Sequence, residues 1–218
     1  MEMEGLEKRL LMGSAWRRLA RRTVVPGILR FGRLPVVADA LEVGAGAGFA
    51  AEALLTRFPS WRMTVTDYDD DMVQLARTRL TSFSDRAHIE RADAASLPYA
   101  DQSFDLVISI LVWHHIETWQ MAIAESARVL RPGGRLLSVD LLHPFPSGPL
   151  RRLRLHGTYT FHQFRAAITA GGFTRWRVDR GPAWYLALAE TSGESEGASG
   201  SDGTGTSRIR RGDATPPE

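Results

Sequence analysis

A glycine-rich run is the part of the sequence best suited to bind a ligand. It reads Leu41-Glu42-Val43-Gly44-Ala45-Gly46-Ala47-Gly48 and lies where a predicted strand ends and a predicted helix starts. Glycines let the backbone turn tightly and approach a ligand, which the free amide groups of the helix start then face. The carboxylate of Glu42 suits a ligand with a positive group, whereas a pyrophosphate would bring its own negative charge to the helix start. The alternative is a strand-to-helix turn that binds nothing.

Asp67 ends the second predicted strand and is the next candidate for ligand binding. A carboxylate at this place can accept hydrogen bonds from a ribose diol, as in the doubly wound dinucleotide folds. Each hydrogen bond to a charged group contributes roughly 1.5–3 kcal/mol. The alternative is that Asp67 only stabilises a helix start through the helix dipole. That explanation suits Asp69, Asp70 and Asp71 better, and Asp69 is the predicted N-cap.

Histidines after the fourth predicted strand are candidates for proton transfer. His114 and His115 follow Trp113, while Asp140 and His143 follow the fifth strand. Imidazoles titrate near neutral pH, so either His114 or His115 could serve as a general base. The alternative is that both are structural residues of a pocket wall. The pattern of His114, His115 and His143 matches no standard zinc spacing, so no metal site is predicted.

Short apolar runs alternate with helical patterns over residues 36–142, and this alternation predicts what positions the candidates. Alternating strands and helices imply right-handed crossovers and a parallel sheet. The run 131–134, Arg-Pro-Gly-Gly, reads as a helix stop signal before the fifth strand. The predicted strands are 38–43, 62–66, 87–91, 104–110 and 135–141, and the predicted helices are 48–58, 70–80 and 117–130.

Three further regions complete the predicted organisation. Residues 1–35 have an amphipathic helical pattern that Pro26 ends or kinks, and they could form a lid or cap. Beyond the loop after residue 142 we expect a helix at 161–170 and an antiparallel hairpin of strands 173–180 and 183–190, joined by Gly181-Pro182. The predicted domain therefore spans residues 36–190. Residues 191–218 are mostly small and polar, which predicts a disordered tail.

Composition excludes several classes of function. The chain has 218 residues and no cysteine, which rules out disulfides, thiolate metal sites and a cysteine nucleophile. No apolar run is long enough to cross a membrane and no secretory signal is present, so a cytoplasmic location is expected. The net charge of +2 divides into +5 over residues 1–38, −6 over 39–140, +5 over 141–190 and −2 over 191–218. This distribution makes a nucleic-acid partner unlikely and leaves the oligomeric state undetermined.

The stretch from Leu41 to Leu142 resembles the class I S-adenosylmethionine-dependent methyltransferases. Its run 42–48 is similar to the glycine motif of that family, and further segments follow in the family's order. These segments are the ribose segment Thr66-Asp67-Tyr68 through Met72, the strand ends Ala92-Asp93-Ala94, Leu97-Pro98-Tyr99 and Ser103-Phe104-Asp105, and the fifth-strand approach from Leu130 to Leu136.

The resemblance implies a fold, a cofactor and a set of binding residues. The fold would be α/β, with a doubly wound, mostly parallel seven-stranded sheet, helices on both faces and an antiparallel C-terminal hairpin. S-adenosylmethionine would be the cofactor: Asp67 would hold both ribose hydroxyls, Tyr68 would pack on adenine, Asp93 would accept from the adenine amino group, and Ala94 would line the ring. The implied cofactor-binding residues are Glu42, Gly44, Ala45, Gly46, Gly48, Asp67, Tyr68, Met72, Asp93, Ala94, Ser109 and Ile110.

The same resemblance implies direct in-line methyl transfer, for which alignment matters more than a covalent nucleophile or a metal. Many such enzymes add a general base, which is the role expected of His114 or His115. The stretch 109–112, Ser-Ile-Leu-Val, lacks the Asn-Pro-Pro-aromatic sequence of adenine and glutamine amino methyltransferases, so a small-molecule acceptor is favoured. Two alternatives remain open. One is an NAD-dependent oxidoreductase. Phe49 counts against it, because the dinucleotide-binding fingerprint G-x-G-x-x-G needs a third glycine at this position. The other is a non-catalytic relative that binds the cofactor or a partner.

Overall fold

A computed structural model describes residues 25–32, 34–142 and 159–193. Its strands are β1 Ala38–Val43, β2 Trp61–Asp67, β3 Ala87–Arg91, β4 Phe104–Ile110, β5 Leu130–Leu141, β6 Phe173–Arg180 and β7 Trp184–Thr191. These strands form a seven-stranded sheet in the order β3-β2-β1-β4-β5-β7-β6. Neighbours from β3 to β5 pair in parallel, and β7 is antiparallel to both β5 and β6. The predicted fold class, including the C-terminal hairpin, is confirmed.

Helices cover both faces of this sheet. Successive side chains of a strand point to opposite faces, so neighbouring residues of β4 enter different cores. Leu106 packs in a cluster that contains Leu54, whereas Val107 belongs to a cluster that contains Ile123 and Phe164. The helices are α1 Val25–Gly32, α2 Phe49–Arg57, α3 Asp70–Arg79, α4 Trp119–Val129 and α5 Phe161–Ala170. α4 and α5 therefore lie on one face, and α1 and α2 on the other.

The chain reverses its direction across the sheet between β1 and β4. From β1 it moves outward to β2 and β3, and it then returns to place β4 on the other side of β1. Connections that leave in opposite directions open a crevice at the carboxyl ends of these two strands, which is where ligands bind in such sheets. The glycine run follows β1, and His114 and His115 follow β4, so both groups of candidates lie at this crevice.

The start of β5 differs from the sequence prediction. The run 131–134 was predicted to be a helix stop signal before a strand at 135–141, but the strand already begins at Leu130, which pairs with Phe104 before the register shifts. The guanidinium of Arg131 bonds to the carboxylate of Asp105 at 2.7 Å and holds this irregular segment against the neighbouring strand. The stop signal therefore ends the helix without opening a loop.

The predicted N-terminal cap, the loop after β5 and the predicted C-terminal tail lie partly outside the described residues. Of the predicted cap, the described part is α1, where Pro26 lies in the first turn and its missing N–H group removes no helical hydrogen bond. His143, the rest of the loop that follows β5, and residues 194–218 of the predicted tail lie outside the described part. β7 reaches Thr191, one residue past the predicted domain boundary. No helix in the described ranges is long and apolar enough to cross a membrane.

Candidate active site

A cavity of about 360 Å³ lies at the carboxyl ends of β1, β2 and β4. Ten of the twelve residues predicted to bind the cofactor line it, together with one of the two predicted catalytic histidines, His115. The ten are Glu42, Gly44, Ala45, Gly46, Asp67, Tyr68, Met72, Asp93, Ala94 and Ile110. The fold thus brings together residues from four segments that are far apart in the sequence.

Gly48 and Ser109 do not line the cavity. Gly48 is the N-cap of α2 in a left-handed conformation, and a Cβ there would approach the Cβ of Ala76 at 3.2 Å. Ser109 is fully buried in β4, and its hydroxyl has no hydrogen-bond partner within the described residues. Both are direct sequence neighbours of residues that line the cavity, and their role in cofactor binding stays a prediction.

Sequence reasoning missed half of the cavity wall. Several missed residues are direct neighbours of the predicted motifs, and this adjacency was the only available signal for them. Val25 belongs to the segment predicted to form a lid or cap, but the sequence did not indicate which residue of that segment would line the cavity. The missed residues are Val25, Ala47, Phe49, Ala50, Asp69, Ala92, Leu111, Val112, Ile116, Glu117 and Thr118.

The glycine run wraps closely around one end of the cavity. Gly44 and Gly46 have φ angles of 63° and 53°, a left-handed conformation that residues with a Cβ rarely adopt. A Cβ on Gly44 would lie 2.5 Å from Cγ1 of Val112, so the backbone passes directly over the residues that follow β4. Gly46 has open space where a Cβ would be. The turn therefore presents bare backbone to a bound molecule.

Asp67 connects the end of β2 to this turn. Its Oδ2 accepts from the amide of Gly46 at 2.8 Å, and its Oδ1 accepts from the amide of Asp69 at 2.9 Å. Burial raises the pKa of Asp67, and these two hydrogen bonds oppose the rise. The helix-capping role belongs to Asp69, whose carboxylate accepts from the amides of Asp71 and Met72 at the start of α3. The predicted N-cap at Asp69 is confirmed, and the bond from Gly46 gives Asp67 a contact that stabilisation of the helix start does not explain.

Glu42 is a buried carboxyl group that faces the cavity. Its residue is 2% exposed, and its Oε2 has no hydrogen-bond partner within the described part of the chain. Burial, with the charge of Asp67 as a second cause, raises the pKa of Glu42 to about 8. A cationic ligand group at this place would stabilise the ionised form and supply the missing partner.

Tyr68 and Asp93 also line the cavity. The ring of Tyr68 is partly exposed and lies 5.0 Å from the guanidinium carbon of Arg91. The carboxylate of Asp93 accepts from the amide of Ala95 at 2.8 Å, which fixes the turn that also carries Ala94. An aromatic face beside an oriented carboxylate suits a flat heterocycle with an amino group.

The two histidines lie side by side and have different surroundings. Their ring centroids are 4.0 Å apart. His115 lines the cavity, whereas His114 is not part of the wall and its Nδ1 bonds to Asp140. The side chain of His114 is 12% exposed and that of Asp140 is fully buried. Among the described residues, no group of three or more His, Asp or Glu side chains could hold a metal ion.

Comparison with known proteins identifies the fold that carries this cavity. Residues 41–138 match the family model of the methyltransferase domain. The matched residues make up just under half of the chain. The malonyl-[acyl-carrier protein] O-methyltransferase of Methylococcus capsulatus is 30% identical over 177 residues, which are 76% of this chain and 62% of that protein. The chain thus spans less than two thirds of that relative's length.

Solved structures agree with the methyltransferase domain. A SAM-dependent methyltransferase from Aquifex aeolicus has a TM-score of 0.67 and 18% identity, with 87% of this chain and 99% of that one covered. The [4+2]-cyclase SpnF has a TM-score of 0.70 and 20% identity, with 82% and 83% covered. At these identities the likeness establishes the fold alone, and the second protein's description shows that this fold also hosts other chemistry.

Proposed function

We propose that this chain transfers a methyl group from S-adenosylmethionine to a hydroxyl oxygen of a small molecule. The family match supports the donor. The pairing of His114 with the buried Asp140 beside the cavity carries the choice of acceptor. A hydroxyl group must lose its proton as its oxygen is methylated, whereas a carboxylate is already deprotonated at neutral pH. A histidine held by a carboxylate is the arrangement that this proton transfer needs.

The cavity fits the donor by the chemistry of its polar groups. The unsatisfied Oε2 of Glu42 is available for the cationic end of the donor, and the bare backbone of Gly46 leaves room beside it. The remaining lone pairs of Asp67 are available for the ribose hydroxyls, and Tyr68 and Asp93 for the adenine ring and its amino group. When bound, S-adenosylmethionine supplies a methyl group already activated on a sulfonium. The protein's main contribution is to hold the acceptor in line with it.

We assign the base to His114 rather than to His115. The bond from Nδ1 of His114 to Asp140 leaves Nε2 as the atom that can take the acceptor's proton, and the carboxylate stabilises the imidazolium that forms. His115 lines the cavity and packs against the ring of His114, so its role is to shape the place where the acceptor lies. The cytoplasmic location expected from the sequence stays a prediction.

A matched substrate panel tests this proposal. Purified protein is incubated with S-adenosylmethionine carrying a ¹³C-labelled methyl group and with phenols, each paired with the carboxylic acid and the amine of the same ring. We expect labelled methyl ethers from phenols, and their loss in His114→Gln. Labelled esters or amines that form equally well in His114→Gln would contradict the choice of acceptor.

Three other outcomes bear on the alternatives. Calorimetric titration with S-adenosylhomocysteine first establishes whether the cofactor binds, because a protein without this affinity is not a methyltransferase. A protein that binds the cofactor but labels no member of the panel, nor any component of a metabolite extract, would be the non-catalytic relative. If an acyl group is labelled only when it is attached to a carrier protein, the acceptor is carrier-bound and not a free small molecule.

A further inference from the structure

A chain of hydrogen bonds runs through the core from an indole to the carboxylate that holds His114. Nε1 of Trp113 donates to Oγ of Ser138 at 2.8 Å, and Oγ of Ser138 lies 3.0 Å from the hydroxyl of Tyr185. That hydroxyl lies 2.7 Å from the hydroxyl of Tyr159, which donates to Oδ2 of Asp140 at 3.2 Å. All five residues are at most 3% exposed.

The two ends of this chain fix the direction of every hydrogen bond in it. An indole N–H can only donate, an ionised carboxylate can only accept, and each hydroxyl has one proton to give. Because Tyr159 gives its proton to Asp140, Tyr185 must donate to Tyr159, and Ser138 must in turn donate to Tyr185. Ser138 then accepts from the indole, so every group is satisfied.

The reverse direction is poorer by one hydrogen bond. If Asp140 were protonated on Oδ2 and donated to Tyr159, Tyr159 would donate to Tyr185 and Tyr185 would donate to Ser138, which already accepts from Trp113. Ser138 would receive two hydrogen bonds, and its own proton would have no acceptor in the chain. A buried donor without an acceptor costs free energy, so the chain disfavours a proton on Oδ2 of Asp140. Tyr159 therefore stays a donor to Oδ2, and this hydrogen bond stabilises the ionised carboxylate relative to the protonated one.

The groups that face Asp140 agree with this state. Its Oδ1 accepts from the amide of Leu141 at 2.7 Å, and its Oδ2 accepts from the amide of His114 at 3.2 Å. Burial raises the pKa values of Tyr159 and Tyr185 well above the usual range, so both stay neutral donors. In the described part of the chain, His114 is the basic side chain that pairs with this carboxylate.

We propose that Ser138, Tyr185 and Tyr159 are positioning residues that keep Asp140 ionised and thereby keep the proton of neutral His114 on Nδ1. An ionised Asp140 can only accept, so Nε2 of His114 remains free as the base. A protonated Asp140 would donate to Nδ1, move the imidazole proton to Nε2 and disable the base. The importance of this tautomer for catalysis rests on the proposed function, but the tautomer itself does not.

Nuclear magnetic resonance of the full chain with ¹⁵N-labelled histidine tests the inference without donor or acceptor, and His114→Gln assigns the signals. We expect the wild type to show neutral His114 with its proton on Nδ1. In Tyr159→Phe the population with the proton on Nε2 should rise at least tenfold. Tyr185→Phe and Ser138→Ala should give progressively smaller shifts, because they interrupt the chain farther from Asp140.

Tyr99→Phe is the matched control, since Tyr99 donates to the carboxylate of Glu90 at 2.6 Å, outside this chain. An unchanged His114 tautomer in the folded Tyr159→Phe and Tyr185→Phe variants would overturn the inference. If Tyr159→Phe does not fold, the other two variants decide in the same way. A tautomer that depends on Tyr159, in a protein that methylates no hydroxyl, would uphold the inference and remove the proposed function. If methylation needs His114 but the tautomer of His114 does not depend on the chain, the proposed function stands and the inference is overturned.

Discussion

Asp67 accepts a hydrogen bond from the backbone amide of Gly46 at 2.8 Å, and this bond joins the end of β2 to the turn after β1. The carboxylate therefore both shapes the glycine turn and faces the cavity that the turn encloses. Through this bond, the site depends on the geometry of two neighbouring parallel strands.

Replacement of Asp67 should weaken the binding of the cofactor. Asp67→Ala removes the acceptor for the ribose hydroxyls, so we expect the free energy of S-adenosylhomocysteine binding to fall by about 1.5–3 kcal/mol for each charged hydrogen bond lost. Isothermal titration calorimetry measures the change, and circular dichroism checks the fold. Asp85→Ala, an exposed acid before β3, is the control and should leave the affinity unchanged. Equal affinity in wild type and a folded Asp67→Ala would remove the ribose assignment.

The affinity for S-adenosylmethionine should depend on pH through Glu42. Its pKa of about 8 means that the free protein carries mostly protonated Glu42 at neutral pH, whereas the cationic donor favours the ionised form. Binding should therefore tighten as the pH rises from about 6 to about 8 and should release a proton. Calorimetry in buffers of different ionisation enthalpy measures that proton. Glu42→Gln should release no proton from this position, and its affinity should depend less on pH. The same pH dependence in wild type and Glu42→Gln would contradict the role of Glu42.

Glu42 should also lower the stability of the free protein at high pH. A carboxyl group whose pKa is raised on folding contributes stability that is fully present below the unfolded value of 4.5 and is lost as the pH rises through about 8. We therefore expect the wild-type melting temperature to fall between pH 6 and pH 9 by more than that of Glu42→Gln. Thermal unfolding across this range is the measurement. Equal falls of the melting temperature in wild type and Glu42→Gln would show that burial does not raise the pKa of Glu42.

Gly44 and Gly46 should respond differently to an added methyl group. Gly44→Ala combines backbone strain with a contact 2.5 Å from Val112, and we expect a loss of about 1–3 kcal/mol of stability from overpacking alone. Gly46→Ala has open space, so only the left-handed conformation costs free energy, about 1–2 kcal/mol. Denaturant unfolding compares the two. The double variant Gly44→Ala/Val112→Ala should recover part of the Gly44→Ala loss, and strict additivity would contradict the contact.

The sequence predicted those parts of the fold and site that depend on local pattern. The apolar run of β4 and the N-cap at Asp69 were found with their correct bounds, because burial on both faces and capping leave local signatures. The early start of β5 was missed because it depends on the bond from Arg131 to Asp105 on another strand. Asp140 and His114 were both recognised as candidates, but their contact with each other followed only from the pairing of β4 with β5.

Removal of the proposed base should slow the reaction without preventing cofactor binding. General-base catalysis contributes about 10²–10⁴-fold, so we expect kcat of His114→Gln to fall by that factor with the phenol that reacts fastest. His115→Gln should mainly raise KM for the acceptor, because His115 lines the cavity. His88→Gln, whose side chain is 69% exposed in β3, is the control and should match the wild type. A larger loss of kcat in His115→Gln than in His114→Gln would transfer the base to His115 and leave Asp140 with a purely structural role.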